Sequence, residues 1–383
     1  MRTSRWTALV AIAIATVSAC SSGSSHRAAK PTPTTAAPKP VAYPLDSTLR
    51  LNQVQVLGSH NSYHGQPFPQ ILEKLRQVDP RDAIGLDYSH RPLSEQFTLG
   101  IRQLELDVWS DPKGGKYAHP SLPESLHLPP PDPAVMNKPG FKVIHVADVD
   151  TNSTCLTFVL CLDQVKTWSD ANPGHVPIMI DVEMKDTTVT PATFDALDAE
   201  IRSVLTPKEL ITPDDVRGTD LSLGHVIRTR GWPTLGAVRG RIMFMLDNES
   251  FAPIELQGHP SLRGRILFAS SSPGDDDAAV SKLNNPISDA AKIKAALAAN
   301  MLIRTRADAD TVQARSNDTN MRDKAFSGGA QFVSTDYEVP NRRFSSYLVK
   351  VPAGTPARCN PVTAPPSCKS TDVENPKYLS SVP

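Results

Sequence analysis

The chain has 383 residues, 40 of them basic and 40 acidic, so its formal net charge is zero. That length suits one large α/β domain or two ordinary ones, and the missing basic field argues against a nucleic-acid partner held through its phosphates. Aromatic residues make up only 6%, and the 35 prolines gather near the N-terminus, between 120 and 140 and in the tail.

Arg2 and Arg5 precede an apolar run, Ala8–Val17, of signal-peptide length and too short to span a bilayer. The run ends Val17-Ser18-Ala19-Cys20, which resembles the lipobox of bacterial lipoproteins. Residues 1–20 are therefore expected to be a lipoprotein signal peptide. Cys20 would be the lipidated first residue of an exported product anchored to the cell envelope. Ordinary secretion after a small-residue site is the alternative. Residues 21–44 are rich in Ser, Thr, Ala and Pro. They cannot build a core and read as a tether reaching at most roughly 75 Å. The folded domain is expected over 45–383.

From Leu45 onward short β-like runs alternate with helical stretches, the signature of βα units. Eight strands are predicted, at 53–58, 101–107, 141–146, 176–183, 241–247, 265–270, 301–305 and 331–335. Helices are predicted over Leu160–Ala171, stopped by Asn172-Pro173-Gly174, over Pro191–Leu205 with Thr190 as N-cap, and over Asp289–Asn300. This pattern fits a single-domain (β/α)8 TIM barrel. A doubly wound open sheet is the alternative, weakened because no Gly-x-Gly-x-x-Gly follows the first strand. An insertion at 110–139, rich in Pro, Gly and His, falls in the second βα loop and is expected to shape substrate entry. The tail after Pro340 shows no periodicity and is expected to wrap the barrel.

Setting Cys20 aside leaves Cys155 with Cys161 and Cys359 with Cys368. Neither pair has the two-residue gap of a zinc site, and an oxidising compartment would join each as a disulfide. Six residues of continuous helix rise about 9 Å, beyond the roughly 7 Å limit between bridged Cα atoms. The first pair therefore requires a helix beginning close to Cys161.

Several of these runs deliver a polar side chain at or near the C-terminal end, where the strands of a parallel barrel converge on one site. His60 and Asn61 follow the first strand, Glu105 and Asp107 lie on one face of the second, His145 closes the third and Glu183 ends the fourth. A histidine can carry protons near neutral pH, although His60 could instead cap its strand. Two carboxylates held so close repel unless a cation intervenes. One solution is a basic partner such as Arg102. The other is a metal shared by Asn61, Glu105, Asp107 and Glu183, whose oxygen donors suit calcium or magnesium. Asp181, on the same face as Glu183, is the alternative to it. His64, His90, His119, His127, His175, His225 and His259 read as surface residues, His64 least securely. No serine-hydrolase elbow, P-loop or dinucleotide fingerprint is present.

The set Gly58-Ser-His60-Asn61-Ser-Tyr-His64, Gln103-Leu-Glu105-Leu-Asp107-Val-Trp109, Ala171-Asn-Pro-Gly-His-Val-Pro177 leading to Glu183, and Phe332-Val-Ser-Thr-Asp336-Tyr337 resembles, in order, the calcium-dependent phosphoinositide-specific phospholipases C, in their secreted bacterial branch. The resemblance covers most of 50–340 and implies a barrel phosphodiesterase. His60 and His145 resemble its catalytic histidines, and Asn61, Glu105, Asp107 and Glu183 its Ca2+ ligands. Arg304, Arg306 and Asp336 would face a phosphate or substrate, and Tyr337 could stack on a sugar-like ring. Where eukaryotic members carry a lysine near the end of strand five, this chain offers Met245, which favours unphosphorylated phosphatidylinositol. The implied reaction releases diacylglycerol and a cyclic inositol phosphate at a membrane surface. Two rivals remain: a barrel diesterase acting on glycerophosphodiesters or sphingomyelin, and a non-catalytic lipid-anchored envelope binding protein.

Overall fold

The computed structural model describes residues 43–375, so the expected signal peptide, Cys20 and most of the tether lie outside it. Eight strands run parallel around a ring: β1 (Val54–Ser59), β2 (Ile101–Trp109), β3 (Ile178–Met184), β4 (Ile242–Leu246), β5 (Leu267–Ala269), β6 (Val280–Lys282), β7 (Leu302–Arg306) and β8 (Phe332–Thr335). Each pairs with the next, and β8 pairs with β1. The link between β5 and β6 is one bridge, Ser270 to Val280. This is the expected α/β barrel, a curled parallel sheet that is well laddered on one side and thin on the other.

Seven ring strands fall where the alternating runs predict them. The third does not. In the predicted strand 141–146 only Lys142–Val143 is extended, and it pairs antiparallel with the C-terminal end of β2. Phe141 and Val143 satisfy their apolar character in the core behind β2, while Ile144 packs with Tyr117 and Met136 of the insertion. The vacated ring position belongs to β6, whose three residues are too few to show a period.

Side-chain alternation then sorts the ring into layers. Leu104, Leu106, Ile180, Val182, Phe244 and Leu246 point outward into the main core. There they meet Leu162 and Val165 of α1 (Phe158–Ala171) and Phe194, Leu197 and Ile201 of α2 (Pro191–Val204). Thr190 opens α2 in a capping box with Thr193, and Pro191 takes the first helical position, where its missing N–H costs nothing. The opposite parity faces inward. Val56, Met179, Met243, Leu302 and Phe332 fill the lower barrel, and Glu105, Asp107, Asp181 and Glu183 come above them, Glu105 beside Asp181 and Asp107 beside Glu183. Gly58 lets β1 approach β2 because a Cβ there would collide with the Gln103 side chain.

Both disulfides form, with Cα separations of 5.1 Å for Cys155–Cys161 and 6.0 Å for Cys359–Cys368. Helix α1 starts at Phe158, which puts Cys161 in its first turn and keeps the bridge within reach. The tail does wrap the barrel. Ala357–Cys359 pairs antiparallel with β1, and Glu374 meets the buried Arg102 at 2.6 Å. Arg102 has outward parity, which is why it cannot serve as the partner of Glu105. Among the described residues no helix is long and apolar enough to cross a membrane.

Candidate active site

A cleft of about 470 Å³ opens at the C-terminal end of the ring, lined by His60, Asn61, Tyr88, His145, Arg306 and Asp336 among others. Much of its remaining wall comes from Asp79, Arg81, Asp82 and Leu86 of the first βα loop. The 110–139 insertion, expected at the entrance, contributes none of it. That segment packs beneath the His145 loop instead, where the Leu122 N–H donates to the Asp148 carbonyl at 3.0 Å.

His60 is fixed from three strands. Its backbone N–H donates to the Thr335 carbonyl at 3.1 Å, continuing the β1–β8 ladder. Nδ1 lies 2.8 Å from Asp336 Oδ1 and Nε2 lies 3.1 Å from Arg306 Nη1. A carboxylate only accepts and a guanidinium only donates, so the ring proton sits on Nδ1 and Nε2 keeps its lone pair. Burial and the nearby Arg306 push the imidazole well below its ordinary range and leave it neutral. Asp336 is held well below its ordinary range, against the effect of burial, by His60 and Arg306. Its backbone N–H donates to Asp308 Oδ1 at 2.9 Å.

His90, expected at the surface, is buried behind this unit. Nδ1 meets both oxygens of Glu338 at 3.0 Å, and Nε2 donates to the His60 carbonyl at 2.7 Å. Both ring nitrogens face acceptors, so the ring is an imidazolium. Burial opposes that charge, but Glu338 more than offsets it and the pKa is raised to about 9.

His145 reaches the cleft from a loop rather than a ring strand, with 20% of its side chain exposed. Its Nδ1 lies 3.3 Å from Asp150 Oδ2, an oxygen that also accepts from His64 Nε2 at 2.6 Å. His64 is fully buried and stacks on Tyr88 with ring centroids 4.3 Å apart. Burial alone would raise Asp150, but His64 and His145 together lower it to about 2. His64 and His90 were missed because their acidic partners lie 86 and 248 residues away. A usable signal was the four-residue step from His60 to His64, which crosses a tight turn with Asn61 at φ 44°.

Beneath His60 lie the carboxylates. Glu105 Oε1 is 3.7 Å from His60 Nε2, and ligand oxygens of Glu105, Asp107 and Glu183 all fall within 4.8 Å of one another. Burial, together with repulsion from Glu183, raises Asp107 to about 7. Burial also raises Glu105 to about 8, despite Arg304. Asp181 is also pushed well above its ordinary range, through burial and Asp247. Among the described residues, three cations answer these five carboxylates: Arg304 on Glu105, Lys282 on Asp247 and Lys185 on Asp107 and Glu183. With all five ionised, two negative charges would be left over, the charge of one divalent cation, and without it burial and mutual repulsion keep Glu105, Asp107 and Asp181 above their ordinary range. Buried Asn61 Oδ1 and both Asp181 oxygens also have no hydrogen-bond partner. An all-oxygen, under-neutralised set of this kind fits a hard cation such as calcium. Arg304, expected to meet a phosphate, is instead 1% exposed and taken up by Glu105 and Asn284. Tyr337 is also buried and meets Tyr347 edge-on at 5.6 Å, so it offers no face to a sugar ring. Asp336 does line the cleft, with its carboxylate engaged by His60.

A family profile described as Ca2+-dependent phosphoinositide phospholipase C matches residues 49–361. Among solved structures, the calcium-dependent phosphoinositol-specific phospholipase C of a Pseudomonas species is 18% identical. It is matched over 80% of this chain and 95% of its own, with a TM-score of 0.50. The calcium-dependent phosphatidylinositol-specific phospholipase C of Streptomyces antibioticus is also 18% identical, over 76% of this chain and 95% of its own, with a TM-score of 0.48. No curated protein matches the sequence.

Proposed function

The chain belongs to the Ca2+-dependent phosphoinositide phospholipase C family, a group of phosphoric diester hydrolases, and from that premise we propose that it cleaves phosphatidylinositol into diacylglycerol and a cyclic inositol phosphate. The observation that carries this reading is the meeting, around one cleft, of two histidines on separate carboxylates above an oxygen cluster two charges short of neutral. Asn61, Glu105, Asp107 and Glu183 would hold the calcium, which when bound lowers the pKa of an alcohol and offsets charge on a phosphate oxygen.

His60, neutral and unprotonated at Nε2, takes the proton of the inositol hydroxyl that attacks phosphorus once Arg306 leaves that nitrogen for the phosphate oxygens. Asp336 steadies the imidazolium this creates. Arg306, beside His60 Nε2 and on the cleft wall, faces the phosphate oxygens. His145 gives a proton to the glycerol oxygen as the P–O bond breaks, and the anionic Asp150 supports the charged form it starts from. Met245 is buried in the ring next to Asp181, where no cation from β4 can meet a ring phosphate, and this supports unphosphorylated phosphatidylinositol as the substrate. The leader and Cys20 support an exported protein tethered by lipid to the envelope. A Cys20→Ser protein should leave the membrane fraction.

The test uses purified residues 45–383 on phosphatidylinositol vesicles, with calcium and then with chelator. Calcium-dependent release of diacylglycerol and cyclic inositol phosphate is expected. Headgroup turnover without diacylglycerol would favour the glycerophosphodiester or sphingomyelin diesterase, and calcium binding without turnover the binding protein.

A further inference from the structure

The cations that neutralise the carboxylate cluster differ in their freedom to leave it. Arg304 is 1% exposed and bonded to both Glu105 and Asn284, so it is a permanent part of the barrel interior. Lys185 stands at the mouth, two residues past Glu183. Its Nζ is 3.2 Å from Asp107 Oδ2 and 3.1 Å from Glu183 Oε1, and its side chain is 20% exposed. Its backbone is held by an N–H donated to the Val108 carbonyl at 3.0 Å. The four-carbon stem can therefore swing toward solvent without disturbing β3. These two carboxylates are among the three whose oxygens lie close enough to share a metal ion.

We propose that Lys185 is an exchangeable internal cation: its ammonium occupies the carboxylate pair until calcium displaces it, and this competition sets the calcium affinity of the site. An ammonium brings one charge and only donor groups, so it leaves the cluster short by two charges and cannot bridge three carboxylates. A divalent ion in its place leaves the cluster short by only one charge and can bridge the three carboxylates, but it must first break two charge-assisted contacts and then sit beside a displaced positive charge. The lysine thus keeps the apo site intact at the cost of weaker metal binding. The inference rests on the reading that Asp107 and Glu183 hold calcium, and the variants are chosen to separate the two.

Calcium is titrated calorimetrically into the wild-type protein, Lys185→Met, Lys185→Arg and Asp107→Asn, and each is melted with chelator and with calcium. Lys185→Met should bind calcium about tenfold more tightly than wild type, the scale of the lost contacts. It should melt lower in chelator and gain more from calcium, while Lys185→Arg stays near wild type. Should Lys185→Met not fold without metal, Lys185→Gln keeps a hydrogen-bonding side chain without the charge and is read the same way. Unchanged or weaker calcium binding in Lys185→Met, with binding abolished in Asp107→Asn, overturns the exchange and leaves Lys185 as a structural ion pair. Undiminished binding in Asp107→Asn overturns the metal reading itself, and the proposal with it.

Discussion

The two histidines of the cleft are secured in opposite ways. His60 continues a ring strand and draws Arg306, Asp336 and His90 from three distant parts of the chain. His145 sits on a loop, and its partner Asp150 is five residues away, in a segment tied down by the Cys155–Cys161 bridge and by His64. The first is positioned by the barrel and the second by a strapped loop. A proton acceptor under an attacking hydroxyl needs a fixed direction, whereas a donor to a departing alkoxide can follow it. The difference in mounting matches the roles proposed for them.

Neither histidine should be dispensable. His60→Ala and His145→Ala should each lower kcat/KM on phosphatidylinositol vesicles by at least about 10²-fold, the usual scale for acid–base groups. A loss under tenfold for either removes it from the reaction. Their two carboxylate partners should differ in weight. Asp336→Asn, which disturbs the short 2.8 Å bond that fixes the His60 tautomer, should cost about 10²-fold, and Asp150→Asn, across 3.3 Å, nearer tenfold. Equal losses would mean that the two mountings do the same work.

Alkali should loosen only the barrel-mounted side. His90 binds its proton with a pKa of about 9 in the folded protein and about 6.5 when unfolded. Between those values the native state holds more proton than the unfolded one, so the His90 contribution is complete below about pH 6.5 and fades as pH rises through about 9. Urea melts across pH 6 to 10 should show this decline, and His90→Gln should remove its upper part, above the range in which Asp107 and Glu105 ionise. The smallest effects belong to the disulfides. Replacing Cys155 and Cys161 by Ser should cost about 2 kcal/mol by the loop-entropy relation and lower activity a few-fold through the His145 loop. The same change at Cys359 and Cys368 should cost similar stability with activity intact. Matching activity losses would show that the first bridge is no special strap.

What the sequence made legible follows the same division. The strand ends carrying His60, Glu105, Asp107 and Glu183 were readable because a period-two run fixes both position and face. His145 was found as a residue but placed on a ring strand, whereas only Lys142–Val143 is extended and Phe141, Val143 and Ile144 are apolar for the sake of the neighbouring core and insertion. β6 was missed because three residues carry no period. The buried pairs His64–Asp150 and His90–Glu338 could not be read as pairs, because each histidine looks exposed until its partner is brought to it by the fold. Arg304 shows the converse: a basic residue near a phosphate site that the cluster beneath has already claimed.

The strand that begins the ring is completed by the residues that end the chain. β1 takes its partners from β2, from β8 and from Ala357–Cys359, and Arg102 at the foot of β2 meets its counter-charge only at Glu374. Ring closure must therefore wait until almost the whole polypeptide is available, and it pairs segments some 270 residues apart. Such long-range closure is slow, since loop entropy is lost before the contacts repay it. A nascent chain emerging N-terminus first cannot lock into its native barrel midway through synthesis. A protein truncated before Ala357 should therefore remain protease-sensitive even though every proposed catalytic and metal-binding residue is present.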